Sequence, residues 1–543
     1  MLWIALHLPT LSLESFASTL AARESLAAGQ PIALLEAHHI VSANAAAQAE
    51  GVKPGLKRAT ALALAPRIVL GQADATRDAA ALWPVAHAAL AFTPSVSLQP
   101  ASSPGAAANT VLLEVRASLR YFGGLERLLH GIDVALSPLG HAVRVATAAT
   151  AQGAALLAQV EPPPRCLDLV ATRLALAEAP VWLLGPGREH WEALQGMGLR
   201  KLGDLLKLPR AGLARRFSEA MLVEIDAAFG NRPDPREPIV LPPSFESRLE
   251  LFARADTTEQ VLHGAAVLLE RLIAWLAAQH AFVRRFKLLM HHESRRSSSS
   301  RTGERTAQAT MLEIALAEPS RDSAHLLVLL RERLAHVQLL APTLELYLQA
   351  EDISKRAPPN VELFATSGSE HEGLTRLIER LQARLGAGQV QRLCEVEDHR
   401  PERASESRSA DAAALGSSRK SGKKPSPAKR VHPAEATLAG DGVAVLAGAL
   451  ASRPVWLQPP EALAEQRSRP LFEGRSLQLL SGPERIEAGW WDAGLAGRDY
   501  FIAETAEGAL VWIYRERLPS LPKEGNENPG SGSSGWFLQG RFG

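Results

Sequence analysis

The chain has 543 residues, and 59 Lys and Arg against 58 Asp and Glu leave it almost neutral. This length predicts about three to five domains. A hydrophobic content of 46% excludes a wholly disordered chain, and two distant cysteines, Cys166 and Cys394, exclude a disulfide scaffold and favour a reducing compartment. No uninterrupted apolar run approaches the roughly 18 residues of a membrane span, and the N-terminus lacks a basic, cleavable leader. We therefore predict a cytoplasmic protein without a membrane segment.

The first 165 or so residues alternate between strand and helix patterns. Residues 2–7 predict a buried strand, Pro9 interrupts the apolar run, and a helical pattern follows. Further strands are predicted at residues 31–36, 110–115 and 142–148, and helices within 42–55 (closed by Gly51) and at 78–91 and 124–137. The mixture predicts an α/β or α+β region.

The middle of the chain divides into two further units. Between residues 182 and 229, short helices joined by glycine turns predict a small helical domain. Strands are then predicted at residues 247–252, 282–292, 309–317 and 343–349, with helices at 257–279 and 321–336. This β-α-β-β-α-β order predicts a compact α+β unit.

The last third differs in composition. Residues 402–433 have almost no large apolar side chains and predict a disordered linker. Residues 469–543 concentrate aromatic residues, which must pack in a core or meet a partner. Trp490, Trp491, Trp512 and Trp536 are candidate partner anchors, and a place in a folded core is an equal alternative for each.

This order of domains resembles the Y-family translesion DNA polymerases. VSANAAAQAEGVKPG at residues 41–55 resembles their fingers signature, LLEVRASLRYFGG at 112–124 resembles their second palm motif, and SGPERIEAGWW with WFLQGRF resembles the ImuB branch. The resemblance implies a multidomain α+β architecture. It places a palm at residues 1–10 and 77–166, fingers at 11–76, a helix-hairpin-helix thumb at 167–238, a β-α-β-β-α-β little finger at 243–352 and a partner-binding region at 469–543.

The resemblance also identifies where the catalytic acids should stand. Active members end the first strand with two aspartates spaced by one residue, and here those positions hold His7 and Pro9. The Asp-Glu pair of the second palm motif is replaced by Asn109 and Thr110, which leaves Glu114 as the remaining acid. Imidazole, proline, amide and hydroxyl cannot replace anionic ligands of two magnesium ions. We predict no catalytic residue, no metal and no other cofactor, with His7 as a metal ligand a minor alternative.

The triphosphate contacts are replaced in the same way. The family's tyrosine and arginine fall on Ala45 and Gln48, and its palm lysine falls near Ala155. A pocket without cations has little affinity for a triphosphate. The chain is thus predicted to be an inactive nucleotidyltransferase homologue, and an active translesion polymerase that uses unaligned acids is the alternative.

Two basic regions predict DNA binding. In the thumb-like region, glycine turns would present backbone N–H groups to phosphates beside cationic side chains, although such turns are also common as connectors. In the little-finger-like region, a basic strand and loop would follow a DNA backbone, unless they form a solvated sheet face. Alternation predicts Arg285 and Lys287 on one face and Arg284 on the other. The predicted contacts are Gly185, Gly187, Arg188, Gly196, Gly198, Arg200, Lys201, Arg284, Arg285, Lys287, Arg295 and Arg296.

Residues 358–365 resemble the peptide by which bacterial proteins bind the sliding clamp. Asn360 stands for its glutamine and Val361 for its leucine, followed by Glu362, Leu363 and Phe364. The apolar pair would fill a cleft on the clamp, and a buried connector strand is the alternative. An amphipathic helix is predicted at residues 369–385, with leucines at 374, 377, 381 and 385.

The ImuB resemblance implies an adaptor in SOS-type translesion synthesis and induced mutagenesis. Its implied partners are primer-template DNA, the bacterial sliding clamp, an error-prone replicative-type polymerase and a RecA-like accessory protein. A DNA-independent assembly protein is a third possibility.

Overall fold

The computed structural model describes residues 1–20, 29–101, 108–185, 190–293, 309–339, 341–355, 367–410, 453–454, 456–492, 494–517 and 535–542. The chain forms two compact units, Met1–Gly386 and Ala387–Gly543. The multidomain α+β class predicted from the sequence is confirmed.

The N-terminal sheet is antiparallel and has the strand order β5-β6-β1-β7. The central strand β1 is buried along its whole length, which explains its continuous apolar run. Its even-numbered residues pack against α4 and α6, and Trp3 and Ala5 pack on the opposite face against α7. The elements as far as α7 are β1 Trp3–His7, α1 Leu11–Leu20, β2 Ile32–Glu36, β3 His39–Ala43, α2 Ala45–Ala49, α3 Arg58–Leu64, β4 Val69–Gln72, α4 Ala75–Leu90, β5 Val96–Leu98, β6 Thr110–Glu114, α5 Leu119–Phe122, α6 Leu125–Leu136, β7 Arg144–Ala148 and α7 Ala151–Leu157.

A second, smaller sheet has the order β3-β2-β4, with β4 parallel to β2. The alanine-rich helix predicted within residues 42–55 is much shorter than expected. Residues 42 and 43 belong to β3, Asn44 caps the helix by accepting the N–H of Ala47, and the helix ends at Ala49. Pairing with β2 therefore overrides the helix propensity of the alanines.

The predicted helical domain is present as five short helices. These are α8 Leu169–Glu178, α9 Trp191–Gly196, α10 Leu202–Leu206, α11 Arg210–Arg216 and α12 Glu219–Ala228. Their apolar side chains share one core with α7 and with the Trp3 face of the N-terminal sheet.

The predicted β-α-β-β-α-β unit is also present, with the sheet order β10-β9-β11-β8. Its elements are β8 Phe245–Ala255, α13 Thr258–Ala278, β9 Phe282–His292, β10 Ala309–Ser320, α14 Ser323–Leu334 and β11 Thr343–Ser354, and α15 Ser367–Leu385 follows. Helix α13 begins with a capping box between Thr257 and Gln260. Among the described helices it is the one apolar and long enough to cross a membrane, but 61% of that stretch is buried, as in a core helix.

The connection between the helical domain and β8 is fixed at both of its ends. Arg236 donates to the side chains of Gln99 and Gln152, and the N–H of Ile239 donates to Val96 O at 2.8 Å. Past these contacts, Pro242 O accepts the indole N–H of Trp275 at 3.2 Å. Helix α4 packs against α13 along this seam.

The second unit consists of β-sheets with the orders β12-β13, β14-β21-β20-β19-β18 and β15-β16-β17. The strands are β12 Gln391–Glu395, β13 Ser405–Ser409, β14 Trp456–Ala462, β15 Ala464–Gln466, β16 Arg469–Phe472, β17 Arg475–Ser476, β18 Gln478–Ala488, β19 Ala496–Glu504, β20 Leu510–Glu516 and β21 Trp536–Arg541.

This unit corrects two predictions. The predicted linker begins too early, because residues 402–410 contain β13, which pairs with β12; residues 411–433 lie outside the described residues. Trp512 and Trp536 are buried in the core of the sheet, and Trp512 stacks on Tyr500 with ring centroids 4.1 Å apart. These two tryptophans stabilise the fold and are not available as partner anchors.

Candidate functional site

Antiparallel pairing of β1 with β6 brings together two of the positions at which the resemblance to polymerases predicts acids. His7 and Thr110 are direct cross-strand partners, only 7% and 2% exposed. His7 Nδ1 lies 2.9 Å from Thr110 Oγ1, and the Thr110 hydroxyl donates to Asn109 Oδ1 at 3.2 Å. The polar groups at this end of the sheet are therefore bonded to one another.

These groups do not fit a two-magnesium site, because magnesium prefers anionic oxygen ligands and none of them is anionic. Within the part of the chain that the structure describes, no group of three or more His, Cys, Asp or Glu could hold a metal ion. Glu114 pairs with Trp3, four residues along β6 from Thr110, and four residues of strand span about 13 Å. Its carboxylate accepts the N–H of Leu2 at 3.1 Å, so Glu114 has a structural contact at the far end of the strand.

The positions matched to triphosphate contacts carry no cation. Ala45 is the first residue of α2, and Gln48 donates its side-chain amide to Ala43 O at 2.7 Å. Ala155 is buried within α7. The local structure offers no charge to a triphosphate at these three positions.

Gly185 and Gly198 of the helical domain use their N–H groups within the protein, which corrects the prediction that these two contact phosphates. Gly185 N–H donates to Glu224 Oε2 at 3.0 Å, and Gly198 N–H donates to Gln195 O at 2.9 Å. Gly196 is the last residue of α9. Gly187 and Arg188 lie outside the described residues.

A carboxylate occupies the turn that precedes α10. Asp204 accepts the backbone N–H groups of Lys201 and Arg200, and the bond from Lys201 is the main cause that lowers its pKa. The Lys201 ammonium pairs with Glu178, which raises the pKa of Lys201. Arg200 keeps an exposed side chain. The structure therefore satisfies this turn with its own anion.

Exposed cations that the sequence analysis missed lie on α11. Arg215 and Arg216 are both exposed in its last turn, and none of the described carboxylates pairs with either one. Two consecutive arginines at a predicted helix end are the signal that could have found them. These two arginines and Arg200 are exposed cations of the helical domain.

Strand β9 presents its cations differently from the prediction. Val283 and Phe286 are both buried, so the alternation is broken between them and Arg284 and Arg285 are both exposed. Arg285 pairs with Glu313 of β10 at 3.0 Å and with Asp352 of β11 at 3.9 Å. Acidic neighbours thus neutralise Arg285.

Arg284 and Lys287 remain as the cations of β9 without an ion pair to any described residue. Lys287 is half-buried, and its cross-strand neighbour on β10 is Glu313. Arg295 and Arg296 lie outside the described residues.

The clamp-binding residues Asn360, Val361, Glu362, Leu363 and Phe364 also lie outside the described residues. The helix predicted after them is present as α15, but its leucine stripe faces outward. The four leucines at 374, 377, 381 and 385 are 37% to 55% exposed. Instead, α15 packs by its opposite side, where Ile378 and Ala383 are buried and Glu379 accepts the N–H of Ala317 at 2.6 Å and a bond from His325 at 2.7 Å.

Two of the four candidate tryptophans lie on the surface of the second unit. Trp490 is 80% and Trp491 53% exposed, and their rings meet at nearly a right angle. The loop that carries them is held by the buried guanidinium of Arg400, which binds Asp398, Asp492 and Gly494 O at 2.7 to 2.9 Å. Hydrogen bonds from Arg400 lower the pKa of Asp398 to about 2. A large apolar pair is therefore displayed on a rigid support.

The chain was compared with known proteins. No family model matches it. Two solved structures that it resembles are the crystal structure of DinB from Sulfolobus solfataricus, with a TM-score of 0.36, and a Dbh ternary complex with partially disordered substrates, with a TM-score of 0.35. Each is 16% identical in sequence and matches 65% of this chain and 99% of the other.

Related sequences extend over nearly the whole chain. Over 516 residues the chain is 28% identical to Protein ImuB of Caulobacter vibrioides, from strain NA1000 (CB15N) and equally from strain ATCC 19089 (CB 15). The match covers 91% of this chain and the whole of that protein. The predicted resemblance to the ImuB branch is confirmed.

Proposed function

We propose that this chain, a relative of the ImuB proteins, is a catalytically inactive Y-family polymerase homologue that serves as an adaptor in SOS-type translesion synthesis and induced mutagenesis. The observation that carries the proposal is the hydrogen-bonded pair of His7 and Thr110 at the matched catalytic positions. Phosphoryl transfer by polymerases needs carboxylates that hold divalent ions against the reacting oxygens. A buried imidazole and a hydroxyl cannot supply them.

The adaptor would act in the cytoplasm by bringing proteins to damaged primer-template DNA. Residues 360–364 would dock on the bacterial sliding clamp as an extended peptide. The second unit would recruit the error-prone replicative-type polymerase and the RecA-like accessory protein. Trp490 and Trp491 support this role, because exposed aromatic side chains on a rigid loop are typical binding hot spots.

The DNA contact would be made by exposed cations in two places: Arg200, Arg215 and Arg216 in the helical domain, and Arg284 on β9. Such contacts bind phosphates without reading sequence. The logarithm of duplex affinity should therefore fall with the logarithm of salt concentration, by about 0.9 for each phosphate neutralised.

Primer extension beside DNA binding tests the central claim. The purified chain should bind a primer-template at low salt. It should not extend the primer, whether magnesium or manganese is supplied. If the chain extends the primer and Glu114→Gln abolishes extension, the chain is an active polymerase instead. Glutamine is chosen because it still accepts the Leu2 N–H and removes only the charge. Extension that survives this substitution would point to another acid or to a contaminant. Failure to bind DNA at low salt would favour a DNA-independent assembly protein.

Two adjacent arginines provide a matched test of the DNA surface. Arg284→Ala should weaken DNA binding and lower its salt slope, because no described group neutralises Arg284. Arg285→Ala should have a smaller effect, since Glu313 and Asp352 already pair with that guanidinium. Equal effects, or a larger effect at Arg285, would contradict this placement of the contact.

The clamp contact is tested by substitution of its apolar pair. A double Leu363→Ala, Phe364→Ala change should abolish clamp binding while DNA binding is kept. Asn360→Gln should strengthen clamp binding, because the longer amide matches the usual peptide. Clamp binding that persists in the double variant would refute the assignment.

A further inference from the structure

A groove follows the seam between α4 and the elements β8 and α13. It contains two cavities, of about 320 and 410 Å³. Ala80 of α4, Arg248 of β8 and Arg271 of α13 line both of them, so they lie on either side of one guanidinium. None of these residues takes part in the palm site, the basic surfaces or the tryptophan pair.

Arg271 is a buried cation without a matching anion. Its side chain is only 6% exposed, and one guanidinium nitrogen donates to Ser247 Oγ and to Arg248 O, each at 3.2 Å. None of the described carboxylates forms an ion pair with it, whereas Arg248 beside it pairs with Glu345. Burial lowers the pKa of Arg271 to about 10. A buried charge is costly unless it is paired, so this one favours an anion in the groove.

His87 provides an independent observation in the smaller cavity. It is 8% exposed, and its Nδ1 atom is buried with no hydrogen-bond partner among the described residues. Trp83 and Phe245 line the same cavity, and its other polar lining residues are Glu246, Ser247, Arg248 and Arg271. A mainly apolar pocket with a few converging polar groups is typical of a small-molecule site.

We propose that this seam binds a small organic anion, whose phosphate or carboxylate pairs with Arg271 while a planar apolar body lies against Trp83 and Phe245. His87 forms part of the wall of the same cavity. A nucleoside monophosphate and an aromatic carboxylate both have this chemistry. Because the groove is formed by α4 on one side and β8 with α13 on the other, the ligand stiffens the contact between them.

Calorimetric titration of the full chain tests this site, with deoxyadenosine monophosphate, benzoate and inorganic phosphate as separate probes. We expect saturable binding of one deoxyadenosine monophosphate or one benzoate per chain, and weaker binding of phosphate alone. Preference between the first two identifies which anion the site favours. Arg271→Met should weaken the better probe at least tenfold, and Arg58→Met, which removes an exposed arginine elsewhere, should leave its affinity unchanged.

A second variant guards against a folding defect. Ala80→Trp fills the groove from its exposed edge and keeps Arg271, so it should also abolish binding. Hydrogen exchange at residues 80–87 and 245–248 should slow when the probe binds. The proposal is overturned if none of the probes binds saturably, or if binding is the same in both variants as in the unaltered chain.

Discussion

Replacing His7 and Thr110, the buried cross-strand pair of the N-terminal sheet, with carboxylates should destabilise that sheet unless a divalent ion is present. His7 and Thr110 face each other across β1 and β6 and are nearly inaccessible to solvent. Directly opposed side chains lie about 5 Å apart. Two negative charges at that distance, with an effective dielectric constant of about 20, repel by roughly 3 kcal/mol. The double change His7→Asp, Thr110→Glu should therefore cost at least this much at neutral pH.

Hydrogen exchange measured by mass spectrometry is the suitable assay, because it reports the opening of β1 and β6 separately from the other domains. In the presence of a chelator, amides of these strands should exchange at least a hundredfold faster in the carboxylate variant than in the unaltered chain. This change corresponds to a loss of roughly 3 kcal/mol in the free energy of opening. Manganese should restore most of the protection. The neutral double change His7→Asn, Thr110→Gln should show no response to manganese.

The reasoning would be refuted by either of two results. The carboxylate variant could keep the exchange rates of the unaltered chain, which would mean that the two side chains do not confront each other. It could instead lose protection without any rescue by manganese, which would mean that these positions do not form the remnant of a cation site.

Three further outcomes are expected. Burial lowers the pKa of His87 from its ordinary 6.5 to about 4. Roughly 3 kcal/mol of the free energy of unfolding should therefore be lost as pH falls from 6.5 to 4. In urea unfolding, the His87→Leu variant should show a flatter dependence of this free energy on pH over that range. Gly71→Ala would place a Cβ 2.4 Å from the Phe16 ring and should lower the unfolding temperature, whereas Gly196→Ala, which meets nothing within 4 Å, should not. Arg400→Met should make the loop of the exposed tryptophan pair susceptible to protease, and equal resistance would contradict its supporting role.

Local sequence patterns predict secondary structure correctly where residues close in sequence determine it. The bounds of β9, Phe282–His292, agree with the prediction because aromatic, β-branched and other apolar residues recur along the segment. The start of the second unit could not be predicted this way. Residues 402–410 lack large apolar side chains, yet nearby Arg400 bonds to Asp492, 92 positions further along the chain.

The candidate sites show the same limit. The cluster of cations on β9 was visible in the sequence, but Glu313 and Asp352, which neutralise Arg285, come from strands 28 and 67 positions further on. The sequence predicts the amphipathic helix α15 but not which of its sides is buried. The buried side carries Ile378, Ala383 and Glu379, and Glu379 bonds to β10 and α14.

The anchored connection before β8 limits how the chain can change shape. Ile239 is bonded to β5, and Pro242 is held by Trp275 of α13, so only Val240 and Leu241 lie between the two attachments. Since each non-proline residue contributes two soft backbone torsions, any swing of the β8–β11 sheet about this joint is confined to the torsions of Val240 and Leu241 and of the two residues that flank them. Large rotations must either concentrate there or break one of the two hydrogen bonds. A connection this short favours a few discrete orientations of the β8–β11 sheet over a continuous range.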